Sequence, residues 1–190
     1  METDLIKRAY LESKIVMKGD YPYFVNSISD GNPAVTRELL DEIVGGFQRL
    51  SNLDCDIFLA PEAMGIPIAA ALTMRTGKPF QIIRKRKSGI PGEIVFERTT
   101  GYDQMNMYLQ SVSPGTKVIL VDDVISTGNT LKKSVQTIRD AGMVIEEVLI
   151  VLNKSIDLDA LEKEAGVRVH SIIDVAVVDG KPVIKDSTHE

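Results

Sequence analysis

Apolar residues in this chain occur either as short unbroken runs or as positions recurring every three or four residues. The runs are "DIFLAP" (56–61), "PFQIIRK" (79–85), "VILV" (118–121) and "VLIVLN" (148–153). Their length and β-branched content predict strands covered on both faces. Between them, "IPIAAALTMRTG" (66–77) reads as a helix that Gly77 ends. Leu131, Val135 and Ile138 share one side of another helix, which stops at Gly142. A third carries Leu39, Leu40, Ile43, Val44 and Phe47, with Asn32-Pro33 as its cap and first-turn proline. The first fifty residues are therefore expected to form a helical approach to a sheet.

Strands alternating with helices imply an α/β fold, a mainly parallel sheet with right-handed crossovers. Ligands of such sheets bind outside the carboxyl ends of the strands. The ends of "FLA", "QIIR", "VILV" and "VLIVL" are the places to look for chemistry. From Lys85 to about Asn106 the polarity is mixed and Gly89, Pro91, Gly92 and Gly101 intervene, which predicts a long loop or loose hairpin. Loops of that length in compact domains are often functional.

The chain's 190 residues, without internal repeats or low-complexity tracts, suit one domain spanning 1–190. Its 22 basic and 27 acidic side chains give a net charge of -5, which argues against a nucleic-acid partner. A local basic run does occur at Arg84, Lys85, Arg86 and Lys87. Cys55 is the single cysteine, which excludes an intrachain disulfide and a thiolate-rich metal site and fits a reducing, cytoplasmic setting. The opening "METDLIKRAYLES" is charged throughout, and no uncharged apolar run is long enough to span a bilayer, so no membrane partner is expected.

"VILVDDVISTGNT" (118–130) carries the strongest chemical signal. An aliphatic run reaches two adjacent carboxylates, Asp122 and Asp123, then passes through Ser126, Thr127, Gly128, Asn129 and Thr130 into a helix. Unpaired N–H groups at a helix start carry partial positive charge, so a phosphate can sit there with the hydroxyls as further donors. Two carboxylates just upstream would repel a bare phosphate and must face something else on the same ligand. A sugar diol that donates hydrogen bonds, or a bound divalent cation, satisfies them. A ribose 5-phosphate meets both demands. The Gly-Lys-Ser/Thr ending of a Walker A loop is absent, as is the GxGxxG dinucleotide turn. The bland alternative is that the two acids merely cap the turn.

This stretch closely resembles the phosphoribosyl-diphosphate (PRPP) binding motif of type I phosphoribosyltransferases. The resemblance implies that family's fold, a mainly parallel sheet flanked by helices with a small hood. It places Asp122 and Asp123 on the ribose hydroxyls, directly or through water linked to Mg²⁺, and Ser126 to Thr130 on the 5-phosphate. "LAPEAMGIPIAAAL" resembles the family's pyrophosphate loop, where backbone donors of Glu62, Ala63 and Met64 would meet the diphosphate. A tight strand-to-helix connection is the structural alternative. Arg84, Lys85 and Lys87 would supply countercharge, although such a run can also be a solvated face. Catalysis falls to Asp122, Asp123, Lys85 and Tyr102, the last on a loop from Ser88 to Asn106 that would close and exclude water.

The match is widest with purine enzymes. "IRKRKSGIPGEIVFERTTGY" is similar to the adenine group, and "EAMGIPIAAALTMRTGKPF" with "VLIVLNKS" to the xanthine and archaeal-type hypoxanthine/guanine groups. "GDYPYFVNSISDGNPAVTRELL" resembles the archaeal hypoxanthine/guanine group in particular. Two departures leave the general acid/base open. Ser126 stands where human-type hypoxanthine/guanine enzymes have an acid, and "TTGYDQ" lacks the adenine enzymes' Glu beside the tyrosine, unless Asp103 replaces it. Lys154, after a buried strand, suits the O6 carbonyl of hypoxanthine or guanine and opposes adenine's 6-amino group; the alternative is a surface lysine. Val124 is the other base-site residue. "IIDVAVVDGKPVI" is expected to add strands near the base.

The implied reaction transfers 5-phosphoribosyl from PRPP to N9 of hypoxanthine or guanine, giving IMP or GMP and pyrophosphate in purine salvage. Adenine or xanthine as substrate, or a PRPP-binding regulator without turnover, are the alternatives. A homodimer is implied by the resemblance alone. His170 and His189 have no metal-ligand spacing and are expected to be structural or surface residues.

Overall fold

The protein is described here by a computed structural model covering residues 3–19, 21–99, 104–110, 112–154 and 156–185, without the side chains at 97–99, 104 and 105. Its centre is a six-stranded sheet. Five strands are parallel: β3 (Ile57–Pro61), β4 (Phe80–Ile83), β7 (Lys117–Ile125), β8 (Val144–Asn153) and β9 (Arg168–Val178). A sixth, β10 (Lys181–Lys185), pairs antiparallel with β9, so that the order is β10-β9-β8-β7-β3-β4. The expected α/β architecture is present, and the C-terminal segment does add strands.

Helices cover both faces because the strands bury both. On one side Ile68, Ala69 and Leu72 of α4 (Gly65–Thr76) pack with Phe58, Ala60, Ile119 and Val121. The same core takes in α1 (Asp4–Leu11), the short α2 (Ser27–Asp30) and α3 (Arg37–Leu50). On the other side Leu131, Val135 and Ile138 of α5 (Asn129–Asp140) pack with Leu59, Val118 and Leu120, and α6 (Leu158–Ala165) joins them. Gly77 ends α4 in the left-handed conformation, φ 75°, with its N–H on the carbonyl of Thr73.

Three expectations need correction. The first fifty residues are not only helical, for β1 (Lys14–Lys18) and β2 (Tyr21–Val25) form an antiparallel hairpin outside the main sheet. Most of β1 is exposed, so no core face imposes an alternation that the sequence could display. Asn32-Pro33 does not start α3; its cap is Thr36, whose hydroxyl accepts from the Leu39 amide at 3.3 Å. The strand "VILV" does not stop at the acids either, since β7 runs through Asp122 and Asp123 to Ile125, paired with β8.

The segment 85–106 contains the hairpin alternative. β5 (Ile94–Thr99) and β6 (Gln104–Leu109) pair antiparallel, and Phe96, Met107 and Leu109 are buried against the face that carries α5. Paired backbone bonds of 2.7 Å between Arg84 and Tyr108 tie β6 to the end of β4.

Candidate active site

The sheet's connectivity creates the crevice. From β3 the chain crosses through α4 to β4 on one side, whereas from β7 it crosses through α5 to β8 on the other, with the two helices on opposite faces. The order of strands therefore reverses between β3 and β7, the kind of switch point at which open α/β sheets bind ligands. Pairing of β3 with β7 ends at Leu120, while β7 goes on beside β8 to Ile125. Beyond Leu120, Asp122 to Ile125 consequently have a strand on one side only. A cavity of about 90 Å³ opens here, lined by Asp122, Ser126, Thr127, Gly128 and Thr130 and by the apolar side chains of Phe96, Met107, Leu120, Leu131 and Ile150; Asp123 and Lys154 do not line it.

Asp122 and Asp123 are both half-buried at this end of β7. The Asp123 amide donates to Oδ1 of Asp122 at 3.0 Å, so the first carboxylate is held by the backbone of the second. Ser126 to Gly128 then turn the chain into α5, with Gly128 at φ 71° in the N-cap position. Among the described residues the N-cap positions of α5 and α4, Gly128 and Met64, supply no side-chain cap, whereas α3 and α6 have Thr36 and Asp157 and the start of α1 is met by the Glu42 carboxylate. The two helices whose starts border the crevice are thus the ones left for a ligand to cap.

Glu62, Ala63 and Met64 form the turn from β3 into α4, with a cis peptide between Glu62 and Ala63. The Glu62 carboxylate accepts from the Lys85 amide at 2.8 Å, and the Glu62 amide donates to Ile83 at 2.9 Å. Lys85 is thereby fastened to the turn. Arg84 and Lys87 are placed differently: with Arg86, Ser88 and Glu93 they line a separate groove along β4 and the β5–β6 hairpin. The structure brings Glu62 and the Lys85 backbone together, while Arg84 and Lys87 line the neighbouring groove.

At the end of β8 the Lys154 amide donates to the carbonyl of Ile125 at 2.9 Å, locking it to the last residue of β7. Its Nζ donates to the Tyr21 hydroxyl at 2.7 Å and lies 4.1 Å from the Tyr21 ring centroid and 5.2 Å from that of Phe24. Lys154 is therefore neither a free surface lysine nor isolated from the hairpin. Asn153, 1% exposed, supports the corner by donating to Asp174 at 2.9 Å and to the Ile156 carbonyl at 3.0 Å. Neither Tyr21 nor Asn153 was expected at the site; an amide side chain ending an apolar strand was the only local sign. Tyr102, Asp103 and His189 fall outside the described residues.

His170 sits beside buried Glu147 near the opposite end of the strands, Nε2 to Oε2 3.7 Å, as a structural residue. Among the described residues no three His, Cys, Asp or Glu side chains converge as a metal cage. The pair Asp122 and Asp123 offers hard oxygen donors that fit Mg²⁺, which binds through one or two carboxylates while keeping waters and taking substrate phosphate oxygens.

Comparison with known proteins agrees with this geometry. The family model described as "Phosphoribosyl transferase domain" matches residues 32–180. A hypoxanthine/guanine phosphoribosyltransferase of Methanohalophilus mahii is 38% identical over 185 residues, covering 97% of each chain. One of Methanobacterium paludis is 40% identical with the same coverage. Among solved structures, the adenine phosphoribosyltransferase of Thermoanaerobacter pseudethanolicus superposes with a TM-score of 0.69 at 20% identity, covering 89% of this chain and 99% of that one. That of Trypanosoma brucei, in complex with AMP, pyrophosphate and ribose-5-phosphate, gives 0.70 at 24% identity, covering 92% and 82%. At such identities these two structures speak to fold alone.

Proposed function

The chain belongs to the phosphoribosyltransferase family, and from that premise we propose how its residues carry out purine salvage, the transfer of 5-phosphoribosyl from PRPP to N9 of hypoxanthine or guanine. The products are IMP or GMP and pyrophosphate. The observation that carries the reading is the crevice between β3 and β7, where two carboxylates and the uncapped start of α5 stand within one turn of chain.

The 5-phosphate sits on Ser126 to Thr130, where backbone N–H groups and hydroxyls converge at the start of α5. Gly128 keeps that backbone approachable. Asp122 and Asp123 accept hydrogen bonds from the ribose hydroxyls. As C1′ loses its bond to the diphosphate, positive charge develops on the sugar, and the same carboxylates stabilise it. The diphosphate lies along Glu62, Ala63 and Met64 at the start of α4, with Lys85 beside it and Arg84 and Lys87 contributing longer-range countercharge. Asp122 and Asp123 would hold Mg²⁺, directly or through water, and such an ion would supply countercharge to the diphosphate. Lys154 donates to O6 of the base, Val124 packs against its face, and N9 is thereby aligned with C1′. Tyr102, which lies between β5 and β6 in the sequence, is the proposed ligand contact of that segment.

The chain is read as a single domain, since among the described residues one hydrophobic cluster reaches from Ile6 to Val175. A homodimer in the cytoplasm is the setting. No described helix is long and apolar enough to cross a membrane.

The test is initial-rate measurement of nucleotide and pyrophosphate formation with PRPP and Mg²⁺ against hypoxanthine, guanine, xanthine and adenine. Turnover of the first two is expected. Turnover confined to adenine or xanthine would overturn the base assignment, and PRPP binding without any turnover would overturn the enzyme reading.

A further inference from the structure

We propose that Tyr21, on the hairpin outside the main sheet, is a positioning residue for base selection that acts by holding the ammonium of Lys154. This rests on the reading of Lys154 as the contact to O6. Its first support is the bond from Lys154 Nζ to the Tyr21 hydroxyl at 2.7 Å, with the ammonium also 4.1 Å from the Tyr21 ring centroid.

The second support is that the holder is itself fixed. Phe24, three residues further along β2, is 4% exposed and meets the Tyr10 ring edge-on, centroids 5.2 Å apart at 84°. Tyr10 is fully buried, and its hydroxyl donates to the Ala176 carbonyl at 2.7 Å. The hairpin is thus anchored through Tyr10 to β9, and Lys154 is anchored through its amide to Ile125 of β7. Only the four-carbon stem of Lys154 remains to be ordered, and Tyr21 orders it.

The chemistry makes that ordering matter. An ammonium has three N–H bonds on a flexible stem, and directing one to the phenol fixes the cone in which the other two lie. A 6-oxopurine offers an acceptor at position 6, whereas adenine presents a donor there. A lysine arranged before the base arrives loses less entropy on binding it, which tightens the acceptor base selectively.

The experiment compares the intact protein with Tyr21→Phe, Lys154→Ala and the double variant, measuring KM for hypoxanthine and for PRPP, kcat, and thermal melting. Tyr21→Phe keeps the ring and removes the acceptor. It is expected to raise KM for hypoxanthine about 10-fold while leaving KM for PRPP and the melting temperature in place, and to add nothing in the Lys154→Ala background. An unchanged KM for hypoxanthine in Tyr21→Phe, with a raised one in Lys154→Ala, overturns the positioning role and leaves the base contact standing. Parallel changes in both KM values and in melting would make Tyr21 merely structural. If Lys154→Ala leaves hypoxanthine turnover intact, the base contact itself fails and this proposal falls with it.

Discussion

A Cβ placed on Gly65 would stand 2.8 Å from the carbonyl oxygen of Val121 and 3.2 Å from Cδ of Pro61. Neither neighbour can swing aside, because one is the backbone of a central strand and the other a proline ring at the end of β3. The start of α4 is therefore pressed against the residue that precedes Asp122, and this contact brings the two ligand turns together. Gly65→Ala is expected to cost about 1–3 kcal/mol through overpacking, lowering the melting temperature by about 2–4 °C per kcal/mol. KM for PRPP should rise with it. Unchanged melting and an unchanged KM would show that the helix slides away without consequence.

Gly128 is constrained differently. Its φ of 71° disfavours any side chain, and a Cβ would stand 2.8 Å from Cδ1 of Leu161 on α6. The leucine methyl can move, whereas the backbone strain of about 1–2 kcal/mol stays. Gly128→Ala is expected to reduce kcat/KM for PRPP about 10-fold or more. Adding Leu161→Ala should not restore it. Full recovery in the double variant would place the whole effect in the side-chain clash.

How much of this was legible depends on whether a core face imposed a pattern. Strands β3, β7 and β8 and helices α4 and α5 are buried on the faces that their apolar spacing indicates, and the Asp122 to Thr130 motif falls at the strand end where an α/β sheet binds ligands. The β1–β2 hairpin was not legible, because "KIVMK" is mostly exposed and its apolar residues do not mark a face. Tyr21 was missed for the same reason, since its partner Lys154 lies 133 residues away. The constraint on Gly65 has no local signal, because the atom it must avoid belongs to Val121, a contact that no local spacing encodes. The bridge between Arg84 and Tyr108, which sets the groove beside the basic run, is equally long-range.

Asp122 and Asp123 stand half-buried at the end of a well-packed strand, so their amides should fold. Asp122→Asn and Asp123→Asn are each expected to lower kcat/KM about 10- to 100-fold, the range for a lost hydrogen bond to a charged group. Melting should change little. A variant that keeps wild-type turnover would show that its carboxylate only shapes the turn.

Alkaline stability should report on two buried acids. Burial pushes the Tyr10 phenol from 10.0 up to about 12. The Cys55 thiol rises from 9.0 to about 11, chiefly by burial and partly offset by nearby Lys78. Both groups stay protonated in the fold at a pH where the unfolded chain has already lost the proton, so the folded state binds more protons and stability falls as pH rises. Each contribution is complete below the unfolded value, near pH 10 for Tyr10 and near 9 for Cys55, and is progressively lost up to the folded value. Urea unfolding at pH 8, 10 and 11 should therefore show a steeper loss in the intact protein than in Tyr10→Phe/Cys55→Ala, whose stability at pH 8 will be lower because the bond to Ala176 is gone. Because every other group is common to both proteins, the difference between the two curves isolates these two. Parallel curves would mean that the phenol and thiol reach water without unfolding. In that case Cys55 should also react with a thiol reagent at pH 8 as fast in the folded protein as in urea, whereas a buried, protonated thiol reacts only after opening.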